Sequence, residues 1–473
     1  MSIKFGTDGW RAVMAEDFTF ENVEIVAQGI AEYLREHHSD IPGEGIVIGY
    51  DNRFLSPEFA QRAAEVMAGN GIYVYMSEKS LPTPTTAYAI INLQTKGALM
   101  FTASHNPPQY NGVKFIPYYG GPALPELTKK LEQKVAQVQK TKEINKISYK
   151  QGTNENCIST FELKSKFLSQ LKNLVDIDTI KNSNLKIAVD AMYGVGAGYL
   201  DKLLTDLGCQ VDAICDYRDP LFGGKMPEPS PEVLQELIAM VKEGDYDLGL
   251  ALDGDADRFG IVDHDGTFIN ANQILSIVYL YLLKRGDTGP VTKTVSTTQM
   301  LNRIAEIYGE EVFETPVGFK YIGKNLKDEG CLLGGEESGG LSIKGHIPEK
   351  DGILACLLVV EVLARTELNL GELLTDMEEK YGQLVNERLD IHTSEQDKSR
   401  VLKYIDNWRP ETLADKSVKG FSTTDGLKIS CEDGSWVLIR PSGTEPLFRI
   451  YGETSSWEDL KSIQTEVREK LEI

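Results

Sequence analysis

Ala98-Leu-Met-Phe-Thr-Ala-Ser-His-Asn-Pro-Pro108 passes from an apolar run into a polar loop closed by two prolines. An apolar run this short and unbroken reads as a strand covered on both faces of a sheet. Pro107 and Pro108 exclude a helix and stiffen the loop. A strand ending at Phe101 therefore presents Ser104 at its carboxyl edge, where open α/β sheets keep their chemistry.

Serine is a weak nucleophile until nearby groups lower the cost of its charge. His105 is adjacent, and Lys114 follows in Tyr110-Asn-Gly-Val-Lys-Phe115. No serine of the chain sits in a GxSxG elbow, which argues against acyl-transfer hydrolysis. By itself a Ser-His pair in a proline-rich loop is more often an ordinary turn than a nucleophile, so the remaining motifs have to decide.

Outward from this stretch the same alternation continues. Residues 20–37 carry apolar positions at helical spacing, and residues 45–50 read as a buried strand leading to Asp51 and Arg53. Helix-like 58–67 and strand-like 72–76 complete a βα pattern suited to a mainly parallel sheet. Residues 139–160 are polar and aperiodic, as a connection between domains would be. Beyond them, helix-like 166–174 and strand-like 186–190 open a second unit. Its strand feeds Gly194-Val-Gly-Ala-Gly198, which fails the dinucleotide pattern at Tyr199 and reads as a tight packing turn. Strand-like 247–252 then delivers Asp253-Gly-Asp-Ala-Asp257 and Arg258.

A third unit has helix-like 274–283, strand-like 291–296 and a run from Gly330 that ends at Glu336. Within it, Gly318-Phe-Lys-Tyr-Ile-Gly-Lys-Asn325 lacks the hydroxyl a nucleotide loop needs, and its bulky residues suit a helix start. Strand-like 386–391, a polar patch at 393–400, strand-like 437–440 and 448–453, and helix-like 457–471 make a small α+β end.

The chain has 473 residues, 41% of them apolar, enough to fill about three cores by length alone. Lys plus Arg number 49 against 71 Asp plus Glu, a net charge of -22, which disfavours nucleic acid and anionic membrane surfaces as partners. An anionic ligand would need a locally basic site. The six cysteines show no CxxC spacing and read as reduced thiols. No leader or membrane span is recognised, so a cytoplasmic location is expected.

Three aspartates at alternate positions, Asp253, Asp255 and Asp257, concentrate charge that a hard cation such as Mg²⁺ would neutralise. Arg258 and His264 occupy the positions where an EF-hand needs Gly and Glu, so a calcium sensor is excluded. Arg440-Pro-Ser-Gly-Thr-Glu-Pro446 with Arg449 supplies hydroxyls, a flexible glycine and two guanidinium groups, the parts of a phosphate nest. Gly334-Gly-Glu-Glu-Ser-Gly-Gly340 suits the vicinal hydroxyls of a sugar. Gly6-Thr-Asp-Gly-Trp-Arg11 adds a cation near the amino terminus. The four major loops follow apolar runs in separate segments, so a cleft where four modules meet is the economical arrangement.

With TASHNPP, DGDADR, GEESGG and RPSGTEP in this order across essentially the whole chain, the sequence resembles the α-D-phosphohexomutase family. The resemblance implies an α/β fold of four domains around a central cleft: three α/β domains with mixed sheets and a C-terminal α+β domain. The expected boundaries are a phosphoserine-loop domain at 1–150, a metal-binding domain at 151–264, a sugar-recognition domain at 265–380 and a phosphate-binding domain at 381–473.

It further implies that Ser104 carries a phosphoryl group, with Ser104, Asp253, Asp255 and Asp257 around Mg²⁺. His105, Lys114, Arg11 and Arg258 would supply positive charge and proton transfer. Lys320, Glu336, Ser338 and His346 would hold the sugar, and Arg440, Ser442, Gly443, Thr444 and Arg449 the non-reacting phosphate. Bifunctional glucose/mannose members commonly have His where this chain has Gly340, and His346 is read as its replacement. The implied reaction interconverts glucose 1-phosphate and glucose 6-phosphate, with a hexose 1,6-bisphosphate as intermediate and activator, in a monomer or homodimer. Phosphomannomutase or dual specificity, a glucose 1,6-bisphosphate synthase, a phosphatase and a non-catalytic sugar-phosphate sensor are the alternatives.

Overall fold

A computed structural model describes residues 3–6, 8–441 and 447–472. The run at 98–101 forms the strand Gly97–Phe101, buried at every residue and parallel to Ile46–Tyr50. Helices on both faces explain that burial. Phe20–Glu36, Ser56–Gly69 and Pro125–Thr141 share a core with Leu99 and Phe101, while Thr83–Leu93 covers Ala98 and Met100 from the other side.

The first sheet is ordered Trp10–Val13, Tyr110–Pro117, Gly97–Phe101, Ile46–Tyr50, Val74–Ser77, Ile158–Phe161. The last of these pairs in parallel with Val74–Ser77, so the first sheet takes a strand from beyond residue 150. That expected boundary falls inside the helix Tyr149–Asn154. Only the two ends of Ile158–Phe161 are buried, which leaves no apolar run to mark a strand in that polar segment.

The second sheet is ordered Phe268–Ile269, Phe259–Asp263, Leu248–Leu252, Lys186–Asp190, Gln210–Ile214, and its first strand lies past the expected boundary at 264. The third is ordered Val312–Thr315, Val291–Thr294, Leu333–Glu336, Gly340–Ile343. The second and third modules share one apolar core, into which the helix Gly352–Thr366 is sunk.

One device recurs in these three modules. A buried strand with a parallel neighbour runs into a loop and returns as an antiparallel strand: 97–101 with 110–117, 248–252 with 259–263, and 333–336 with 340–343. The intervening loops carry Ser104, the aspartates and Ser338.

The fourth module is an antiparallel sheet of six strands, from Val385–His392 through Leu447–Thr454, Trp436–Pro441, Leu427–Cys431 and Lys416–Ser422 to Thr412–Leu413. Val401, Ile405, Ile463 and Val467, from the helices Glu395–Ile405 and Trp457–Leu471, cover one face. The polar patch at 393–400 is thus a helix start, with Ser394 accepting from the Asp397 N–H. On the other face Trp436, Leu438 and Tyr451 meet Val295 and Val317 of the third module. No helix among the described residues is long and apolar enough to cross a membrane.

Candidate active site

Ser104 follows its strand with φ of 49°, a left-handed conformation that costs a non-glycine residue about 1–2 kcal/mol. Its hydroxyl is buried and donates to Asp253 Oδ2 at 2.9 Å. His105 Nδ1 lies 3.3 Å from the same oxygen. Burial, with Arg258 and Arg11 nearby, holds the His105 imidazole neutral, well below its usual pKa. The Ser104 N–H donates to Thr102 Oγ1 at 2.8 Å.

The aspartate loop meets the serine loop through glycine. A Cβ on Gly254 would stand 2.8 Å from the Ser104 carbonyl oxygen, so a side chain there would force the two loops apart. Behind it, a Cβ on Gly194 would fall 2.8 Å from the Gly254 carbonyl oxygen, which makes the Gly194 turn a packing support for this loop. Asp253 Oδ1 accepts from the N–H groups of Asp257 and Arg258, at 2.9 and 3.0 Å. Asp255 Oδ2 accepts from Thr83 Oγ1 at 2.7 Å and Lys114 Nζ at 3.1 Å.

Asp253, Asp255 and Asp257 each bring a carboxylate oxygen within 4.8 Å of the others, and all three residues are buried. Burial and the charges of Asp255 and Asp257 push the Asp253 carboxyl well above the usual range. Burial also works against Asp255, but Lys114 and Thr83 outweigh it and hold that carboxyl well below the usual range. Asp255 Oδ1 and Asp257 Oδ1 are buried without a hydrogen-bond partner among the described residues. Orphaned oxygens on converging carboxylates fit a hard divalent cation, which takes oxygen ligands and removes the mutual repulsion.

Around this loop the cations form a second layer. Lys114 Nζ lies 2.9 Å from Asp8, 3.1 Å from Asp255 and 2.9 Å from Asp257. Lys350 Nζ lies 3.6 Å from Asp8 and 3.3 Å from Asp257. Burial disfavours the charge of both lysines, but these carboxylates more than offset it and keep each protonated. Arg11 donates to Asn106 Oδ1 in the serine loop at 2.7 Å. Arg258 lies 3.6 Å from Glu228, and its Nε is buried without a partner among the described residues.

Glu336 ends its strand inside the same group, its carboxyl pushed up to about 7, mainly by burial. Ser338 is half-buried in the loop that follows. Lys320, at the start of the helix Phe319–Asp328, feels the charges of Asp8, Asp425, Glu336 and Arg440, and burial lowers its pKa. Lys320 therefore stands where modules one, three and four approach one another.

His346 lies elsewhere. Its side chain is fully buried, with Nε2 2.8 Å from Asp351 Oδ2 and the ring tilted against Phe167. It braces Asp351, which caps the helix Gly352–Thr366, and does not face the cleft. The space at Gly340 is taken by Lys350, because a Cβ there would fall 2.6 Å from Lys350 Cδ. Lys350, Asp8 and Thr83 are the site groups that sequence reasoning passed over.

Arg440 and Arg449 are direct cross-strand partners, so two guanidinium groups share one face of the fourth sheet. Like charges placed opposite each other are destabilising without an anion between them. Arg440 Nε bonds Asp425 Oδ2 at 2.9 Å, while Arg449 Nε lies 3.7 Å from Asp390 and has no hydrogen bond among the described residues. Ser442, Gly443 and Thr444 lie outside the described residues.

In sequence the chain matches the phosphoglucomutase/phosphomannomutase family in four consecutive pieces: α/β/α domain I at residues 2–142, domain II at 165–266, domain III at 270–381 and the C-terminal domain at 394–470. The chain belongs to this family. It is a phosphohexomutase, an enzyme of phosphoryl transfer. A phosphoglucomutase/phosphomannomutase of Thermococcus kodakarensis is 30% identical over 96% of this chain and 95% of its own. A phosphoglucosamine/phosphogalactosamine mutase of Sulfurisphaera tokodaii is 29% identical over 99% of both. The crystal structure of a Thermus thermophilus protein assigned as a phosphomannomutase covers 100% of both chains, with 34% identity and a TM-score of 0.86.

Proposed function

We propose that this phosphohexomutase interconverts glucose 1-phosphate and glucose 6-phosphate through a phosphoserine at Ser104. The observation that carries the proposal is the buried Ser104 hydroxyl 2.9 Å from the three-aspartate loop, with Lys114 and Arg11 ranged about it. Phosphoryl transfer depends on placement and charge more than on covalent chemistry by the protein, and these groups supply both.

A sugar hydroxyl oxygen attacks the phosphorus on Ser104. The phosphorus–Oγ bond breaks, its electron pair stays on Oγ, and the hydroxyl proton ends there. His105, neutral and 3.3 Å from Oγ, is placed to relay that proton. The bisphosphate then turns over, and Ser104 Oγ attacks its other phosphorus; the bond from that phosphorus to the sugar oxygen breaks, its electron pair stays on the sugar oxygen, and the Ser104 proton ends there as the phosphoserine is regenerated. Mg²⁺ held by Asp253, Asp255 and Asp257 would supply neutralising charge to the phosphoryl oxygens. Lys114, Lys350 and Arg258 add fixed positive charge around them. Arg440 and Arg449, with Ser442, Gly443 and Thr444, grip the phosphate that is not reacting, while Glu336, Ser338 and Lys320 hold the ring. Hexose 1,6-bisphosphate activates by loading Ser104.

The preference for glucose rests on a resemblance of Thr315-Pro-Val-Gly-Phe-Lys320 and His346-Ile-Pro-Glu-Lys-Asp351 to glucose-specific members, whereas Arg440-Pro-Ser-Gly-Thr-Glu-Pro446 resembles the phosphoglucosamine and phosphomannose branches. Steady-state rates on glucose, mannose and glucosamine 1-phosphates, each with and without added hexose 1,6-bisphosphate, test it. The highest kcat/KM is expected for glucose 1-phosphate, and a higher value for either other sugar overturns the preference. Net accumulation of bisphosphate would point to a synthase instead.

A further inference from the structure

Arg53 has no direct place in the site, yet it grips the backbone of the loop that carries Ser104. Its side chain is fully buried. One terminal nitrogen donates to the carbonyl oxygens of Ser104 at 2.5 Å and Asn106 at 2.6 Å, and the other to those of Pro107 at 2.9 Å and Tyr110 at 3.1 Å. Three carbonyls of the loop and one at the start of the strand that follows thus converge on one guanidinium. Its Nε faces Asp51 Oδ2 at 3.3 Å, and Asp51 is itself fully buried. Phe222, from the second module, lies over the guanidinium carbon at 4.9 Å to the ring centroid.

Burying a charge is costly unless it is answered, and here the four terminal N–H groups donate to carbonyls of the serine loop and the strand after it, while Nε and Asp51 Oδ2 form no hydrogen bond among the described residues and face each other only as opposite charges. The carbonyl of Ser104 that Arg53 holds is also the one against which Gly254 is packed. Arg53 therefore fixes the serine loop at the point where it abuts the aspartate loop. Ser104 keeps its positive φ there, and surroundings that over-determine the backbone are what such a conformation requires.

We propose that Arg53 is a positioning residue for phosphoryl transfer, setting the direction of Ser104 Oγ toward Asp253 by clamping the carbonyls of Ser104 and of the residues after it. This rests on Ser104 being the phosphoryl carrier. A planar fork with donors in two directions can hold four carbonyls; a lysine ammonium has three donors on a flexible stem and cannot reproduce the geometry.

The test is single-turnover discharge of phosphoserine to glucose 1-phosphate, using full-length protein whose phosphate occupancy has been measured by intact mass. Arg53→Lys should slow discharge per phosphorylated molecule about 100-fold, the scale of a misplacement of about 1 Å, with KM changed less than about threefold. Asp51→Asn, which keeps the side-chain size and removes the charge that aims Nε, should slow it about tenfold and serves if the first variant does not fold. A merely structural role would lower the fraction of molecules that carry phosphate and leave the discharge rate of that fraction unchanged. Discharge at the wild-type rate in the folded variants overturns the proposal for Arg53 alone. A wild-type protein that takes no phosphate on Ser104 overturns the reading on which it rests.

Discussion

Ser104 Oγ donates to Asp253 Oδ2 at 2.9 Å, joining two modules through residues 149 positions apart in sequence. Without a cation, that contact sits beside two carboxylate oxygens that have no partner among the described residues. Mg²⁺ should therefore stabilise the folded chain, by about 2.7 kcal/mol at a hundred times its Kd. Thermal melts with and without Mg²⁺ measure this, and Asp255→Asn should remove most of the difference. Chelation should abolish turnover.

Gly254 is the second point of contact between those loops. Gly254→Ala puts a Cβ 2.8 Å from the Ser104 carbonyl oxygen and 3.1 Å from Pro227 Cγ. Overpacking of this kind costs about 1–3 kcal/mol. Denaturant melts should show that loss, and kcat should fall more than KM rises, because the displaced atoms belong to the serine loop.

Glu336 predicts a pH dependence. Its folded pKa is raised from 4.5 to about 7, mainly by burial. Its contribution to stability is therefore fully present below pH 4.5 and is lost as pH rises through 7, a change of about 3 kcal/mol. Glu336→Gln should melt higher than the wild type at pH 8 and gain less, or nothing, at pH 5. Parallel melting curves at the two values check the sign.

Arg440 bonds Asp425, and Asp425 Oδ2 also accepts the Val317 N–H at 3.0 Å from the third module. Arg440→Met should raise KM for hexose phosphate by about 10–100-fold, the loss of a charge-assisted contact worth about 1.5–3 kcal/mol. The melting temperature should move little, since Arg440 lies near the end of its strand and losing its charge also relieves the repulsion with Arg449 opposite.

Much of the fold could be read from sequence because the chemistry follows buried strands. Ala98-Leu-Met-Phe101 and the run before Asp253 are apolar throughout because helices pack on both faces of the sheet, so each marks the edge at which its loop emerges. Ile158–Phe161 carries no such run, and its membership in the first sheet depends on backbone pairing that composition does not reveal. The same limit hid part of the site. In sequence His346 stands in for the histidine that other members carry at the position of Gly340, but its ring is buried against Asp351. Lys350, four positions later, faces Asp257 because Gly340 leaves it room across the sheet. Asp8 and Thr83 likewise depend on contacts between modules, with Lys350 and Asp255. A lysine directly before a helix-capping aspartate was the available signal, and it is weak without the partner strand.

Each role proposed for the site residues depends on a phosphoryl group carried on Ser104. Intact mass of the full-length protein, after incubation with hexose 1,6-bisphosphate and Mg²⁺, tests it most directly. The expected result is the mass of one added phosphoryl group, located on Ser104 by peptide fragmentation, discharged by glucose 1-phosphate and absent from Ser104→Ala. Full mutase activity from a protein whose Ser104 never gains that mass would contradict it.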